Sequence, residues 1–361
     1  MRITRRAKRR LILIAILIAA PFAVDYGFWF GYRLVKGDAA ARNVEFYQQR
    51  SANEMIDSYA PNEHTVYTFS PKLPYVDESG FIAPIPKEPK KPGVLRVVAV
   101  GTSETAGQFA WPAHLHEMLT KAGIENEVWN LAVPGYTSME GIKALRWKGF
   151  PMHPDFVIAG FGASELRAGI FPGFKDDYSH FRREWSLRPG LSEGVTPQRW
   201  LTIHSHLAAF LRQRKGLPPF AGRELDDYII RYDVRPMPRP DFGDKFRNAF
   251  RAHMDTIRRE SAEAGARTIF HTACHCDKNI PTTTAHWFLP GVKVVNEVIR
   301  SFPDEMVVDF QKALSGRCEL FIDFIHTHPP GEQIKAEMML ERIQHFLEKE
   351  GPDDGETADV R

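Results

Sequence analysis

The order of apolar and polar residues predicts an α/β fold between residues 94 and 350. The β-branched run at 94–100 predicts a buried strand that ends at Gly101. Four further short apolar runs predict strands at 127–131, 156–161, 267–272 and 306–310. Because helical patterns separate these runs, they indicate a parallel sheet with helices on both faces.

Helical spacing is clearest in three segments. Apolar residues recur at this spacing between Trp111 and Ala122, and Gly123 then supplies a helix stop. Longer helices are predicted at 242–264 and 332–350. The predicted apolar face of the last helix comprises Ile334, Met338, Ile343, Phe346 and Leu347. In such a fold ligands bind at the carboxyl ends of the strands, so polar residues just after each strand are candidate site residues.

Residues 168–240 interrupt the alternation, and we interpret them as an insertion that can cover the strand ends as a cap. Within it, a helix is predicted at 201–213. Its aromatic residues can line a sugar or acyl site, but packing of the insertion onto the core is the commoner role for such residues. These residues are Phe171, Phe174, Tyr178, Phe181 and Trp185.

The first 36 residues predict a transmembrane signal anchor. The stretch 11–30 is apolar except for Asp25, and at about 1.5 Å per residue it is roughly as long as a bilayer core is thick. Asp25 lies near the outer end, where a carboxylate can reach water; a helix–helix contact in the membrane is the alternative. A cleaved signal peptide is the alternative to an uncleaved anchor, although Pro21 makes a poor cleavage site.

Charge indicates the orientation of this anchor. Six of the first ten residues are Arg or Lys and none is acidic, which predicts a cytoplasmic N-terminus. We therefore expect a single-pass protein of the bacterial inner membrane whose body is periplasmic or extracellular. The net charge of +2 depends on these six residues. The mildly acidic remainder argues against a nucleic-acid partner.

Two further segments fall outside the α/β pattern. Residues 37–60 are polar and helix-compatible, and residues 61–93 are rich in Pro, with Lys residues between them. The segment 37–93 is therefore predicted to be an extended spacer or a wrapping arm rather than a second domain. Residues 351–361 are acidic and polar and are predicted to be disordered. The chain is therefore predicted to consist of an anchor at 1–36, an arm, an α/β domain at 94–350 and a tail.

Candidate catalytic residues follow the predicted strands. Ser103 comes two residues after Gly101, and a serine on a glycine turn can hold its hydroxyl at the mouth of the sheet, although most such serines are helix N-caps. Gly135, in a Val-Pro-Gly-Tyr turn, can bring its N–H close to a substrate oxygen because it has no side chain. Small residues followed by polar ones at 160–165 suit another hydrogen-bond donor.

Asp323 and His326 form the fourth candidate segment. A spacing of three residues on a tight turn lets the carboxylate of Asp323 accept the imidazole N–H of His326. That bond would fix the tautomer and stabilise the imidazolium formed during general-base catalysis. His328 is a competing base, but its offset from Asp323 fits this arrangement less well.

Taken in order, these segments resemble the sequence blocks of SGNH/GDSL hydrolases. The shared features are the serine in a glycine turn, the Val-Pro-Gly-Tyr turn, a Gly-x-polar turn after a Pro-Asp-x-Val strand at 154–157, and Asp-x-x-His with Gly331 five residues past the histidine. The resemblance covers about residues 94–350. It implies a flavodoxin-like three-layer α/β/α sandwich with a parallel sheet, here preceded by one transmembrane helix.

The resemblance also implies roles for individual residues. Ser103, His326 and Asp323 would form a catalytic triad, and the backbone N–H groups of Ser103 and Gly135 would contribute to the oxyanion hole. The third block of the family carries an asparagine whose amide also donates to the oxyanion. Ser164 stands at that position, and its hydroxyl reaches less far. Losing one oxyanion donor typically costs about 10²–10³ in rate.

The activity implied is that of a serine-dependent ester hydrolase, of the deacylase or acetylesterase kind, acting outside the membrane on acylated glycans or lipids. No cofactor or metal is implied. Thr102 and Glu165 also stand where the family usually has aspartate. The departure at Ser164 leaves open a weak or inactive domain that binds glycans or acts as a scaffold, whereas variation at the position of Thr102 is common within the resemblance. An O-acyltransferase that uses the same serine is a further alternative.

The three cysteines, Cys274, Cys276 and Cys318, allow one disulfide and one free thiol outside the cytosol. A disulfide from Cys274 or Cys276 to Cys318 would brace the loop that carries His326. A metal site at 271–276 is less favoured, because its Cys-His-Cys ligands are adjacent and structural zinc sites use longer spacers.

Overall fold

The structure is a computed structural model, and it describes residues 5–37, 40–41, 44, 58–182, 197–215, 229–230 and 236–349. The chain forms two compact units. One combines Met1–Tyr59 with Ser186–Tyr228, and the other combines Ala60–Trp185 with Ile229–Arg361. The parallel sheet and the candidate site both lie in the second unit.

The elements named below belong to the described residues. The helices are α1 (Arg5–Lys36), α2 (Trp111–Lys121), α3 (Ser138–Ala144), α4 (Gly162–Glu165), α5 (Arg167–Ile170), α6 (Pro197–His204), α7 (His206–Arg214), α8 (Asp244–Glu263), α9 (Thr282–Arg300), α10 (Phe310–Leu314) and α11 (Pro329–Lys349). The strands are β1 (Tyr59–Asn62), β2 (Val66–Phe69), β3 (Leu95–Gly101), β4 (Asn126–Asn130), β5 (Phe156–Gly160), β6 (Arg267–His271) and β7 (Val307–Val308). Short 3₁₀ or π turns lie at Leu145–Gly149, Phe150–Met152, Asp277–Asn279, Asp304–Met306 and Cys318–Leu320.

Five parallel strands form the central sheet, in the order β4-β3-β5-β6-β7. Val97 on β3 lies opposite Val128 on one side and Phe156 on the other. This order, in which the first strand lies between the second and the third, is that of flavodoxin-like folds. The flavodoxin-like parallel sheet implied by the resemblance is therefore confirmed.

The predicted strands all form, and four of them match the prediction to within one residue at each end. The fifth, β7, is shorter than the predicted strand at 306–310. It ends because Asp309 begins α10 as an N-cap, with its carboxylate accepting the N–H of Lys312 at 3.0 Å. The helix start at Asp309 therefore ends β7, although the next residue, Phe310, is apolar.

Helices cover both faces of the sheet. On one face, α2 and α11 pack together over a core that includes Val97, Trp111 and Met339, all fully buried. On the other face, Gly141 of α3 lies so close to Phe161 that an added Cβ would be 2.3 Å from its ring. There, α8 packs against α3 and β6. The implied three-layer α/β/α architecture is confirmed.

The buried face of α11 differs from the predicted one. Its buried residues are Gly331, Glu332, Lys335, Ala336, Met339 and Ile343. Of the predicted face, Ile343 is among them. The others lie at the edge of the core or beyond it: Ile334, Met338, Phe346 and Leu347. The predicted face thus packs on the core except at Leu347, and the prediction missed Glu332 and Lys335, which can face the core because they pair at 2.8 Å.

Residues 60–93 belong to the same compact unit as the sheet. The Tyr67 hydroxyl donates to the Pro134 carbonyl at 2.8 Å. Further along, the N–H of Ile82 donates to the carbonyl of Asn130, the last residue of β4, at 3.2 Å. This part of the predicted arm forms a wall of the α/β unit.

The first part of the predicted insertion packs onto the α/β unit. Phe171, Tyr178 and Phe181 are buried, which favours the packing role over a role in lining a ligand site. Trp185, most of residues 37–57 and the predicted C-terminal tail lie outside the described residues.

The helix predicted at 201–213 is instead two helices, α6 and α7, separated at Ser205. Ser205 is the N-cap of α7, since its hydroxyl accepts the N–H of Ala208 at 3.1 Å. The prediction of one helix was wrong because a capping serine competes with continuation of the helix. Within the first unit, α7 packs against α1.

The first helix, α1, has the length and composition of a membrane span. It contains 32 residues, and an 18-residue window within it has a mean hydropathy of 2.2. Within the described residues it is the one helix that meets these criteria. A helix of this kind, near an N-terminus, serves as an anchor or as a signal sequence.

Cys276 and Cys318 form a disulfide, and Cys274 is a buried free thiol. Of the two pairings that the sequence left open, the structure has the one through Cys276. The N–H of Cys276 also donates to the carbonyl of Phe324 at 2.9 Å, so the disulfide lies beside the loop that carries His326.

Candidate active site

Ser103 and His326 meet at the carboxyl end of β3, an inner strand of the sheet. Ser103 is two residues past Gly101, the last residue of β3, and His326 lies in the loop before α11. The distance from His326 Nε2 to Ser103 Oγ is 2.8 Å. The imidazole is therefore within the reach that a general base needs for this hydroxyl.

Asp323 lies on the other side of the imidazole. Its Oδ2 is 2.6 Å from His326 Nδ1, and its Oδ1 accepts the backbone N–H groups of Ile325 and His326, each at 2.8 Å. The backbone N–H of the competing residue His328 donates to the Leu320 carbonyl at 2.7 Å. The structure brings the three predicted triad residues into one chain of hydrogen bonds, with His326 at its centre.

This contact shifts the pKa of both partners. Burial acts to lower the pKa of His326, but the hydrogen bond and charge of Asp323 outweigh it and hold the pKa above its ordinary value. Burial acts to raise the pKa of Asp323, but hydrogen bonds from His326 and the neighbouring backbone hold it below its usual range. An ionised Asp323 thus orients the imidazole with Nδ1 as donor and leaves Nε2 as the acceptor.

Thr102 connects the other two residues that the resemblance places in the oxyanion hole. The N–H of Gly135 donates to Thr102 Oγ1 at 3.2 Å, and the Ser164 hydroxyl is hydrogen-bonded to the same oxygen. Gly135 has a φ of +82°, a conformation that favours glycine. The two candidate donors both contact Thr102 Oγ1, and a substrate oxygen would compete with this hydroxyl for the N–H of Gly135.

Glu104, next in sequence to Ser103, turns back toward α4. Its carboxylate accepts the N–H of Ala163 at 3.0 Å, and a Cβ added to Gly162 would lie 1.6 Å from its Oε2. Burial raises the pKa of Glu104, although the charge of Lys335 and the Ala163 N–H oppose this. Glu104 and Ser103 line the same pocket, so a carboxyl group with a raised pKa lies near the candidate nucleophile.

Glu332 lies behind the His326 loop, and sequence reasoning missed it. Its carboxylate accepts the N–H of Trp111 at 2.7 Å, the hydroxyl of Thr327, and the ammonium of Lys335 at 2.8 Å. Thr327 is next to His326 in the chain. The signal that could have revealed this network was an acid–base pair spaced by three residues in the first turns of a core-facing helix.

A second serine–histidine pair, Ser138 and His253, is buried inside the α/β unit. Ser138 Oγ lies 2.7 Å from His253 Nδ1 and 2.7 Å from Glu165 Oε1. All three residues are buried, and burial raises the pKa of Glu165 to about 7. This group joins α3, α4 and α8, so Glu165 bonds within the fold and not within the pocket.

A pocket of about 470 Å³ opens beside the candidate triad. Phe69 and Tyr75, from the segment before β3, contribute to its walls. Phe109 and Ile322 also line it, and they are 74% and 63% exposed. The pocket therefore has a polar end at Ser103 and His326 and an apolar rim.

The 271–276 segment supplies no free Cys-His-Cys set, because the thiol of Cys276 is in the disulfide. Across the described part of the chain, no group of three or more His, Cys, Asp or Glu side chains is placed to hold a metal ion. Burial lowers the pKa of His271 to about 4, so this residue is a neutral core histidine.

The sheet order and the three layers are those that the resemblance implies, and the candidate triad lies at the strand ends. The fold is thus the flavodoxin-like sandwich implied by the resemblance to SGNH/GDSL hydrolases. No family model matches the chain, and no curated protein matches it.

Several solved structures are similar to this chain. An acetyl xylan esterase, AlAXEase, is 11% identical, with a TM-score of 0.42 over 69% of this chain and 100% of its own. A lipase/acylhydrolase from Enterococcus faecalis is 18% identical, with a TM-score of 0.41 over 70% and 96%. LAE5, an alpha/beta hydrolase from the metagenome of Lake Arreo, Spain, is 14% identical, with a TM-score of 0.41 over 69% and 95%. Similarities this low show nothing about the activity of this chain.

Proposed function

We propose that this protein is a serine-dependent ester hydrolase in which Ser103 is the nucleophile, His326 the base and Asp323 the orienting carboxylate. One observation carries the proposal: Asp323 Oδ2 lies 2.6 Å from His326 Nδ1, and His326 Nε2 lies 2.8 Å from Ser103 Oγ. Such a series of hydrogen bonds, at the mouth of a pocket, suits acyl transfer through an activated hydroxyl.

In the proposed reaction, His326 takes the proton of the Ser103 hydroxyl as Oγ bonds to the ester carbonyl carbon. The imidazolium then gives that proton to the leaving alcohol as the ester C–O bond breaks, which leaves an acyl-serine. Water, deprotonated by His326, attacks the acyl carbon, and the acid departs as the Ser103 hydroxyl re-forms. Asp323 stays ionised and stabilises the imidazolium.

The oxyanion would be bound by the backbone N–H groups of Ser103 and Gly135 and by the Ser164 hydroxyl. For this to happen, the Gly135 N–H must exchange the hydroxyl of Thr102 for the substrate oxygen, and the Ser164 hydroxyl must direct its proton to the same oxygen. The same observation favours a second candidate function, a domain of this fold that binds acylated glycans or acts as a scaffold without turnover. The two functions differ in whether Ser103 reacts.

For the substrate, we propose an acyl ester of a glycan or a lipid outside the cytoplasmic membrane. The basic N-terminal cluster and the apolar α1 support a retained anchor with a cytoplasmic N-terminus. The disulfide between Cys276 and Cys318 suits an oxidising compartment. The exposed side chains of Phe109 and Ile322 at the pocket rim suit an acyl chain.

Labelling of the full-length protein in detergent with a fluorophosphonate probe tests the proposal. The wild type is expected to label, and Ser103→Ala is expected to lose labelling without loss of thermal stability. His326→Gln, which removes the base, is expected to label much more slowly. Ser301→Ala, which removes a hydroxyl at the end of α9, is the control and should label like the wild type.

No labelling of a well-folded wild type would contradict the hydrolase and support the non-catalytic domain. Labelling that survives in Ser103→Ala would show that another residue reacts. If labelling follows Ser103, a series of acetylated glycans and acyl esters would then identify the substrate, with released acid measured directly.

A further inference from the structure

Asp25 is buried in a helix whose neighbouring side chains are exposed. It is 8% exposed, whereas Val24 and Tyr26 on either side are 62% and 61% exposed. Trp29 and Tyr32 are partly covered, and they follow Asp25 at the spacing of one helix face. One face of α1, near its C-terminal end, is therefore covered by protein.

The first residues of α7 cover this face. Asp25 Oδ1 accepts hydrogen bonds from the Ser205 hydroxyl at 2.6 Å and from the Leu207 N–H at 2.9 Å. Asp25 Oδ2 accepts the His206 N–H at 3.0 Å and lies 2.8 Å from His206 Nδ1. The carboxylate thus receives its hydrogen bonds from the start of a second helix.

The two helices run side by side in the same direction. The His206 ring lies 5.3 Å from the Trp29 ring, and the Phe210 ring lies 5.0 Å from the Tyr32 ring. The contacts therefore advance together along both helices, away from Asp25 and toward the end of α1.

The length of the apolar span gives the depth of this contact. With the hydrocarbon starting at Leu11, the residue after the last basic side chain of the N-terminal cluster, Asp25 lies about 21 Å along the helix at 1.5 Å per residue. A bilayer core is about 30 Å thick. Asp25, and with it the start of α7, then lies inside the outer leaflet.

At that depth the two groups stabilise each other. An ionised carboxylate and the open N–H groups of a helix start are each unfavourable in hydrocarbon. Here Asp25 supplies acceptors to the amides of His206 and Leu207, and the helix start favours a negative charge. Together they can lie below the headgroups, which neither could do alone.

We propose that α6 and α7 form a membrane-embedded helix pair that is docked on α1 through Asp25 and contacts lipid with its outer face. Trp200, Leu201 and Leu211 are 55%, 51% and 46% exposed, and such side chains suit the interface and the acyl region. The exposed Arg214, at the end of α7, suits headgroup phosphates. Of the two roles considered for Asp25, this is the helix–helix contact. The proposal rests on α1 being a retained anchor and is independent of the esterase chemistry.

The test uses full-length protein in phosphatidylcholine vesicles, with an environment-sensitive fluorophore attached at Leu201→Cys. The native thiol, Cys274, is buried, so the introduced cysteine reacts selectively. The control is Leu347→Cys, an exposed leucine on α11. We expect nitroxide-labelled phosphatidylcholine to quench the fluorophore at position 201 and not at 347. We expect aqueous iodide to quench it severalfold less at 201 than at 347.

Equal iodide quenching at the two positions would overturn the proposal. So would protection from iodide without quenching by nitroxide lipid, since it would show that protein and not lipid covers the helix pair. Fluorophosphonate labelling of Ser103 on the same vesicles reports separately on the proposed hydrolase.

Two further variants test the docking residue in the Leu201→Cys background. Asp25→Asn keeps an acceptor oxygen, and lipid quenching at position 201 should persist. Asp25→Leu removes every acceptor, so iodide quenching at 201 should rise severalfold while the protein stays in the vesicle fraction. Unchanged quenching in Asp25→Leu would show that Asp25 does not dock the helix pair.

Discussion

The backbone N–H of Trp111 donates to the carboxylate of Glu332 at 2.7 Å, across 221 residues of sequence. Trp111 begins the helix after Ser103, and Glu332 lies in the first turn of the helix after His326. One hydrogen bond thus joins the segments that carry the proposed nucleophile and base. Lys335 pairs with Glu332 at 2.8 Å, so the carboxylate that accepts the Trp111 N–H is also part of a buried ion pair.

Replacing Lys335 with Met is expected to lower the free energy of unfolding by about 3–5 kcal/mol, because it leaves the Glu332 carboxylate charged and unpaired in the core. The double variant Lys335→Met, Glu332→Gln is expected to recover most of this loss, since an amide oxygen still accepts the Trp111 N–H. Urea unfolding at neutral pH measures both. Equal losses in the single and double variants would show that the two charges are not coupled.

Ser164→Ala is expected to lower kcat by about 10²–10³ with little change in KM, because it removes a proposed oxyanion donor. Thr102→Val removes the other hydroxyl of the same hydrogen-bonded pair but no proposed donor, so its effect should be much smaller. Steady-state kinetics on a nitrophenyl ester checks both. A larger loss in Thr102→Val would assign the main role to Thr102.

The pH profile is expected to reflect the raised pKa of His326. Because only neutral imidazole accepts the Ser103 proton, kcat/KM should rise with pH through an apparent pKa above the ordinary value of about 6.5. Asp323→Asn removes the charge that raises this pKa, so the acid limb should move to lower pH while kcat falls by about 10⁴. A midpoint that does not move would show that Asp323 does not set the pKa of His326.

Removing the disulfide with Cys276→Ser and Cys318→Ser is expected to lower the free energy of unfolding by about 4 kcal/mol, from loop entropy at a sequence separation of 42. Fluorophosphonate labelling should also slow, because the His326 loop loses its brace. Thermal unfolding and labelling rates measure the two effects. Cys274→Ala, which leaves the disulfide intact, should label at the wild-type rate.

The apolar rim of the pocket is expected to select for longer acyl groups. Phe109→Ser and Ile322→Ser should each raise KM for an octanoyl ester roughly tenfold, through lost apolar contact, and leave KM for an acetyl ester nearly unchanged. Leu347→Ser, an exposed leucine outside the pocket lining, is the control. Equal effects on both esters would show that the acyl chain lies elsewhere.

The sheet could be predicted from the sequence because buried parallel strands carry continuous apolar runs that end in small or polar residues. Gly101 marks such an end, and Ser103 follows it within the same local pattern. The spacing of Asp323 and His326 is also local, so one tight turn predicts their contact. Sequence reasoning therefore predicted the features that depend on residues close together in the chain.

The rest depends on partners far apart in the chain. Thr102 bonds to Gly135 and Ser164, which lie 33 and 62 residues away, and no periodic signal in one sequence reveals such pairs. The break at Ser205 in the predicted helix also depends on a distant residue, because the start of α7 is fixed partly by Asp25, 180 residues earlier.

If the body of the protein is exported as proposed, the disulfide beside His326 also affects when the proposed enzyme reaches its full rate. For a chain that starts in the cytoplasm and sends its body across the membrane, Cys276 and Cys318 stay reduced until they reach an oxidising compartment. A newly made chain would therefore hold its base in an unbraced loop, and its reaction with esters would be slower until the disulfide forms. Maturation of the catalyst would then coincide with its export.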